Sequence, residues 1–427
     1  MEDSLAEETV LSDELLQQLI AVGEVDILVG IPTCNNAKTI GQVVRAVQVG
    51  FVKYFPRDRT VLITPDGGST DGTPDLVRNA SVEDFRPLMA AQPLRTVHRI
   101  TSPYHGISGR ENAMRVIFAA AELLRAKACA VVGADLQSIT PEWIESLIRP
   151  VYRENFDLVT PLYRRHKFDG LLITNVVYPL VRAVYGYRVK EPLGGEFGFS
   201  GKLAKKYLEE NIGENPIART GIDLWMTTEA MKEGSRICQS FLGPKVHASK
   251  ESEPNLADLL RQVVGGLFGC MESHHDFWGP KTGSEPVPVF GFEYDLSLEP
   301  ARVNVERMLH VFRNGVGELA GILEPILAAE TFQEIQRIAK QGDAEFVFPD
   351  ELWVKTVYEF ASSHHRSVIH RDHLVQALTP IYLGRAAFFV RENMEADSHE
   401  VEKKIEGLCL EYERLKPYLI DRWEHKQ

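Results

Sequence analysis

The stretch Ala128 to Trp143, ACAVVGADLQSITPEW, decides the fold. Its apolar run, Ala128 to Val132, reads as a buried strand that ends in the small residues Gly133 and Ala134 and then presents one carboxylate, Asp135. Thr140, Pro141 and Glu142 open a helix, since threonine as N-cap, proline at the first helical position and an acid in the first turn are each favoured there. A strand delivering an acid to a strand-to-helix loop is the unit of an open α/β sheet, in which ligands bind outside the carboxyl ends of the strands. Asp135 is therefore read as a cleft acid rather than only the cap of its loop, because other stretches supply what a cleft acid needs.

Working outward, the same unit recurs. Val25 to Ile31 (VDILVGI) is a strand closed by Pro32-Thr33-Cys34-Asn35-Asn36-Ala37, with a helix from Thr39 to about Val49. Thr60 to Thr64 is a second strand, ending in Pro65-Asp66-Gly67-Gly68-Ser69-Thr70-Asp71-Gly72-Thr73 before a helix that Pro74 starts. A shorter strand is expected between Arg95 and Ile107, followed by Ser108-Gly109-Arg110-Glu111-Asn112 and the helix Ala113 to Leu124. Arg110 either reaches a phosphate at that helix N-terminus or is a solvated cap residue. Phe156 to Pro161 is another strand, leading into Tyr163-Arg164-Arg165-His166-Lys167, which reads equally as an anion-binding loop or a solvated basic one. The alternation predicts a mostly parallel, Rossmann-like sheet with helices on both faces.

Glu191 to Ser200, EPLGGEFGFS, is the most unusual local sequence: Gly194 and Gly195 permit a turn that aims Glu196, and such a loop can lie against a substrate. Thr220 to Asp223 starts a helix, Leu224 to Met231, making Asp223 an N-terminal helix acid. Strand Ser235 to Leu242 ends at Gly243-Pro244-Lys245-Val246-His247. A lone histidine is usually structural, but one at a strand end can complete a metal site with a carboxylate. Beyond about residue 252 helical spacing dominates, over Leu256 to Cys270, Pro300 to Leu327, Thr331 to Lys340, Glu351 to Ser362, His370 to Leu378 and Val401 to Trp423, with Gly279 to Pro288 as a connection. His364, His365, His370 and His373 cluster there, but interleaved arginines and a single nearby acid, Asp372, argue against a metal. Leu11, Leu15, Leu16, Leu19 and Ile20 mark an amphipathic helix, with Ser12 or Asp13 as cap, that packs on the first domain or on a partner subunit. The expected organisation is residues 1–23 as that helix, 24–251 as the α/β domain and 252–427 as an α-helical region.

Composition narrows the function. The chain of 427 residues is 44% hydrophobic and 25% charged, an ordinary globular balance. No apolar run is long enough to cross a bilayer, and MEDSLAEETVLSDE lacks the character of a signal peptide, so a cytoplasmic protein is expected. Cys34, Cys129, Cys238, Cys270 and Cys409 have no CxxC spacing, which argues against a disulfide framework and a cysteine-built zinc site. A net charge of -13 disfavours nonspecific nucleic-acid or anionic-membrane binding. A parallel-sheet domain with an Asp/Gly-rich turn, one cleft acid and one distant histidine suits a nucleoside diphosphate. The Pro32 to Asn36 turn and Asp66 would hold base and ribose, while Mg²⁺ or Mn²⁺ on Asp135 and His247 would neutralise the diphosphate.

The succession PTCNN, PDGGSTDGT, ISGREN and GADLQSITPEW resembles the family 2-type nucleotide-sugar glycosyltransferases of GT-A fold. More narrowly, GADLQSITPEWI, YRRHK, EPLGGE, GID and GPKVH, in that order, are similar to the retaining mannosylglycerate and glucosyl-3-phosphoglycerate synthase group, over Val25 to Cys270 and more loosely beyond. That resemblance implies Pro32, Thr33, Asn36, Asp66, Arg110, Ala134 and Asp135 on the nucleotide sugar, and Asp135 and His247 on a divalent ion. It implies Leu193, Glu196, Asp135 and Asp223 at the reacting centre, and Arg164, Arg165, Thr174, Gly194, Gly195 and Asp223 toward the acceptor. Two positions depart from the pattern: Gly133 stands where the first acid of the DxD motif is expected, and Asn36 where glutamate is common. The implied reaction is retaining transfer of glucose, or of mannose, from UDP-glucose or GDP-mannose to D-glycerate or 3-phosphoglycerate, giving a compatible solute such as glucosylglycerate or its phosphate. A homodimer is expected. The alternatives are an inverting family 2-type transferase on a lipid phosphate or polysaccharide, and a non-catalytic sugar-nucleotide-binding protein.

Overall fold

The computed structural model describes residues 10–80, 98–103, 109–210, 212, 215–247, 255–293 and 303–424, with the backbone alone at 216 and 220. The expectations for residues 1–9, for the ends of the strand between 95 and 107, for Ser108 and for residues 300–302 lie outside the described residues. The chain forms two compact units: Met1–Arg164, Leu193–Lys250 and Pro288–Tyr294 make the first, and Arg165–Pro192, Glu251–Val287 and Asp295–Gln427 the second.

In the first unit the strands are β1 (Ile27–Gly30), β2 (Thr60–Asp66), β3 (His98–Pro103), β4 (Ala128–Val131), β5 (Leu158–Arg164), β6 (Phe197–Ser200), β7 (Ile237–Pro244) and β8 (Val289–Phe290). They form one sheet in the order β8-β7-β5-β6-β4-β1-β2-β3. Every pairing is parallel except those of β6, which runs antiparallel to β4 and β5. The helices are α1 (Asp13–Val22), α2 (Ile40–Tyr54), α3 (Thr73–Asn79), α4 (Arg110–Leu123), α5 (Pro141–Glu154), α6 (Gly201–Glu209) and α7 (Pro216–Lys232).

β1 and β4 are buried throughout, as continuous apolar strands covered on both faces must be. Ile27 and Val29 share one core with Val43, Val47 and Phe51 of α2 and Ile144, Leu147 and Ile148 of α5. On the other side of β1, a Cβ at Gly30 would stand 2.4 Å from Ile117 of α4, so glycine admits that helix. Phe118 of α4 packs edge-on against Phe199 of β6 at 5.5 Å and at a tilt against Tyr207 of α6 at 5.2 Å. The expected mostly parallel sheet with helices on both faces is thus present.

Two local expectations need correction, and a third, the Thr140 N-cap, is met in position. EFGFS is not wholly loop, because Phe197–Ser200 is β6. β6 fits only because Gly198 has no side chain, a Cβ there falling 1.9 Å from the Leu147 carbonyl oxygen. Thr140 holds the N-cap position of α5, but its hydroxyl makes no capping bond to the backbone. α7 begins before Thr220, at Pro216, and Gly221 breaks it with φ -157° and ψ 68°, so Asp223 lies in the first turn after a glycine kink.

The second unit is helical. Its helix Arg371–Glu392 crosses Val305–Glu318 closely, with a Cβ at Gly315 falling 2.4 Å from Pro380 and one at Gly384 falling 2.6 Å from Phe312. Arg182, fully buried, joins Glu406 at 2.6 Å and Glu413 at 2.7 Å. Among the described residues no group of three histidine, cysteine or acidic side chains is placed to hold a metal ion, the histidine cluster included. His364 packs on Phe268 and His365 stacks on Trp423 at 4.4 Å. No helix of the described residues is long and apolar enough to cross a membrane.

Candidate functional site

Parallel pairing fixes where the polar loops go. The residues that follow β1, β2, β4, β5 and β7 all emerge at the carboxyl edge of the sheet. β6, being antiparallel, starts at that same edge, with Phe197 opposite Val131, and so carries the Gly194 to Glu196 turn there too. These loops, widely spaced in sequence, meet at one rim for this reason.

The turn after β1 and the turn after β2 are knitted together. Thr33 forms a parallel bridge with Asp66, and its hydroxyl donates to Asp66 Oδ1 at 2.9 Å. Asp66, 4% exposed, also accepts from the Ser69 hydroxyl at 2.6 Å and the Ser69 and Gly68 amides at 2.8 and 3.1 Å. Its carboxylate is therefore occupied in holding the turn. Asn36 Oδ1 accepts from the Cys34 amide at 2.8 Å, and Asp71 Oδ2 accepts from the Ala37 amide at 2.8 Å. Ala134 is pinned through its carbonyl, which accepts the Thr39 hydroxyl at 2.7 Å. Between these turns and α4 lies a cleft of about 290 Å³ lined by Pro32, Thr33, Cys34, Asn36, Gly109, Arg110, Ala113, Gly133, Ala134 and Asp135. That volume sits at the lower end of ligand pockets.

Asp135 and His247, 112 positions apart by their numbers, are brought together. His247 Nδ1 stands 3.3 Å from Asp135 Oδ1, with the two side chains 43% and 26% exposed. The backbone enforces this: Leu136 and His247 form an antiparallel bridge, and the Gln137 amide donates to the Val246 carbonyl at 2.9 Å. Two ligand atoms bonded side by side to one octahedral ion at about 2.1 Å sit roughly 3 Å apart, so the pair fits a hard divalent ion. No third protein ligand stands with them among the described residues. Oxygens of a diphosphate and water are the expected complement of such a two-residue site.

Behind this pair lies a second cluster. Glu196 is 2% exposed and its Oε2 receives the Lys245 ammonium at 2.6 Å and the Tyr163 hydroxyl. Lys245 also donates to the Gly194 carbonyl at 2.5 Å and lies over the Tyr163 ring at 4.8 Å. Gly195, at φ 82°, takes the left-handed conformation that favours glycine. Arg110 donates to Asp223 at 3.0 Å and to the Gly195 carbonyl. Burial opposes its charge, but the carboxylates of Asp223, Glu196 and Asp135 outweigh it and raise the Arg110 pKa above its ordinary value. Arg110 is therefore neither a free cap nor an idle cation. It ties α4 to α7 and to the glycine turn. Leu193 is half-buried at the start of this loop.

The remaining residues divide. Arg164 ends β5 and pairs with Glu293 at 3.4 Å. Arg165 and Thr174 belong to the second unit. There Arg165 makes a two-pronged pair with Glu191 at 2.7 and 3.1 Å, and the Thr174 hydroxyl donates to the Leu171 carbonyl at 3.3 Å. The sequence motifs containing Lys245, Tyr163 and Cys34 gave none of the three an individual role. Lys245 stands two positions before His247 in GPKVH, close enough to have been singled out with it. Tyr163 and Cys34 carried no comparable signal.

The chain resembles glucosyl-3-phosphoglycerate synthase from Mycobacterium tuberculosis. Against that protein's complex with Mn²⁺, UDP and glucosyl-3-phosphoglycerate, identity is 20% over 62% of this chain and 85% of the other, with a TM-score of 0.42. Against the complex with Mn²⁺, UDP-glucose and phosphoglyceric acid it is 19% over 63% and 86%, with a TM-score of 0.43. Against the complex with Mg²⁺ and UDP it is 20% over 61% and 83%, with a TM-score of 0.42. No family model matches the chain, and no curated protein matches it.

Proposed function

We propose that the protein is a divalent-cation-dependent, retaining glycosyltransferase that moves glucose from UDP-glucose to 3-phosphoglycerate or D-glycerate. The observation that carries the reading is the 3.3 Å approach of Asp135 and His247 beside a cleft whose lining includes Pro32, Thr33, Asn36, Arg110, Ala134 and Asp135. The ordered motif set and its resemblance to the glucosyl- and mannosylglycerate-forming transferases support the same assignment.

Asp135 and His247 would hold Mg²⁺ or Mn²⁺ against the donor diphosphate, and such an ion supplies Lewis-acid stabilisation of a departing phosphate. The Pro32 to Asn36 turn would take the nucleoside, with Asp66 setting the shape of that turn. Arg110 adds positive charge beside the diphosphate while remaining fixed by Asp223. Two further carboxylates at the rim, Glu196 and Asp223, are each tied to a cation, at 2.6 Å to Lys245 and 3.0 Å to Arg110. Neither is poised as a free nucleophile, which favours direct attack by the acceptor. In that reaction the acceptor oxygen bonds to the anomeric carbon on the face from which the diphosphate leaves. The carbon–phosphate-oxygen bond breaks, and the acceptor's proton passes to the departing phosphate oxygen. Catalysis then rests on positioning and charge stabilisation. Arg164, at the end of β5 and paired with the exposed Glu293 at 3.4 Å, would meet the acceptor's carboxylate or phosphate.

The test is incubation with Mg²⁺ or Mn²⁺, UDP-glucose or GDP-mannose, and D-glycerate or 3-phosphoglycerate, with anomeric products read by NMR. The reading expects an α-linked product that EDTA and Asp135→Ala both abolish, with Asp135→Ala still folded. Full activity in Asp135→Ala overturns it.

A further inference from the structure

Resting on that reading of the ion site, we propose that Glu196 is the outer-sphere carboxylate of the cation held by Asp135 and His247, and that residue 133 is glycine because Glu196 fills its side-chain space. A Cβ at Gly133 would stand 3.1 Å from Asp135 Oδ1, 3.1 Å from Glu196 Oε1 and 3.5 Å from Leu136 Cγ. Each carboxylate oxygen is thus in tight contact with a point that only glycine leaves open, and the two are no more than about 6 Å apart. A side chain at 133 presses on both, and they must give by a few tenths of an ångström.

The Glu196 carboxylate is oriented rather than merely near. Lys245 and Tyr163 both bind Oε2, and Oε1 is the oxygen presented to Gly133 and Asp135. At 2% exposure its field is poorly screened by water. Arg110 registers it, since the charge on its guanidinium is favoured by Asp223, Glu196 and Asp135 together. Hard divalent ions keep several of their waters, and those waters need acceptors. An acid at most about 6 Å from the coordinating oxygen is within reach of an ion-bound water and its hydrogen bond. Carboxylates in such outer positions orient the inner shell, and their loss weakens metal binding by roughly 10- to 100-fold. Glu196 is on this account a positioning residue for the ion, not a group that attacks the sugar.

The experiment is Mn²⁺ binding in the presence of UDP, followed by electron paramagnetic resonance without turnover, on the wild type and on Glu196→Gln, Gly133→Asp and the double variant. Glu196→Gln is expected to weaken Mn²⁺ about tenfold. Adding Gly133→Asp, which returns one carboxylate to the same space, is expected to restore most of that loss, which a purely structural role for Glu196 would not allow. Gly133→Asp alone, crowding Glu196, is expected to lower the Mn²⁺ affinity, and that readout decides the matter if Glu196→Gln does not fold. A wild type that binds no Mn²⁺ overturns the ion site itself. A wild type that binds while Glu196→Gln binds equally well, a double variant no better than Glu196→Gln, or a Gly133→Asp variant indistinguishable from wild type overturns the role of Glu196 alone.

Discussion

Lys245→Met removes one partner of a buried ion pair and leaves the other in place. Lys245 and Glu196 are 9% and 2% exposed at a separation of 2.6 Å, so solvent screening discounts the interaction little. Removing one member of such a pair costs about 3–5 kcal/mol, because the surviving charge stays buried without compensation. Tyr163 still donates to Glu196, which places the expected loss near the lower bound, at about 3 kcal/mol. For a unit of this size that is a fall of roughly 6–12 °C in melting temperature. Glu196→Gln in the same chain removes the orphaned charge while keeping an acceptor for Tyr163. The double variant should therefore recover more than half the loss, the remainder reflecting the ammonium's contact with the Tyr163 ring at 4.8 Å. The assay is differential scanning calorimetry on the four chains of the cycle. A Lys245→Met loss under about 1 kcal/mol, or additive effects in the double variant, refutes the buried pair.

Gly198→Ala drives a Cβ to within 1.9 Å of the Leu147 carbonyl oxygen, a backbone atom that cannot swing aside, and should cost about 2–3 kcal/mol by urea denaturation. Burial, then Arg371 and His365, lower the His364 pKa from 6.5 to about 4. Since the unfolded chain takes up that proton first, this stability is full above pH 6.5 and lost as pH falls toward 4. The wild type should lose on the order of 3 kcal/mol more than His364→Gln between those limits, and equal urea profiles for the two would contradict the burial. A hydrogen bond from Lys53 lowers the Glu142 carboxyl to about 2, a stability present above the ordinary carboxylate range and lost as pH falls through 2. Both side chains are 53% exposed, so Glu142→Gln should cost under about 1 kcal/mol at neutral pH, and nothing measurable in acid below the shifted value.

The parallel core was legible because continuous apolar runs such as Val25 to Ile31 and Ala128 to Val132, each closed by a polar turn and a helix, admit few other readings. Asp135 and His247 were legible for the same reason, each standing just beyond the end of a recognisable strand. β6 was not. Four residues containing a glycine show no period, and its strand character comes from the room that Gly198 leaves beneath α5 rather than from any local preference. β8 has two residues and was equally silent. The engagement of Arg110 with Asp223 joins residues 113 positions apart, and nothing local in either helix announces it. Lys245 escaped notice because a lysine after proline in a loop reads as solvated. Only the fold shows that its ammonium is turned inward onto Glu196.

The proposed chemistry depends on one divalent ion gripped by a carboxylate and an imidazole. Pulsed electron paramagnetic resonance of the protein with Mn²⁺ and UDP tests it directly, since a coordinated imidazole leaves a nitrogen modulation on the manganese signal. The account predicts one such nitrogen in the wild type, its loss in His247→Ala, and loss of the bound manganese itself in Asp135→Ala. A bound manganese with no nitrogen coupling, or one unchanged by either substitution, would contradict it.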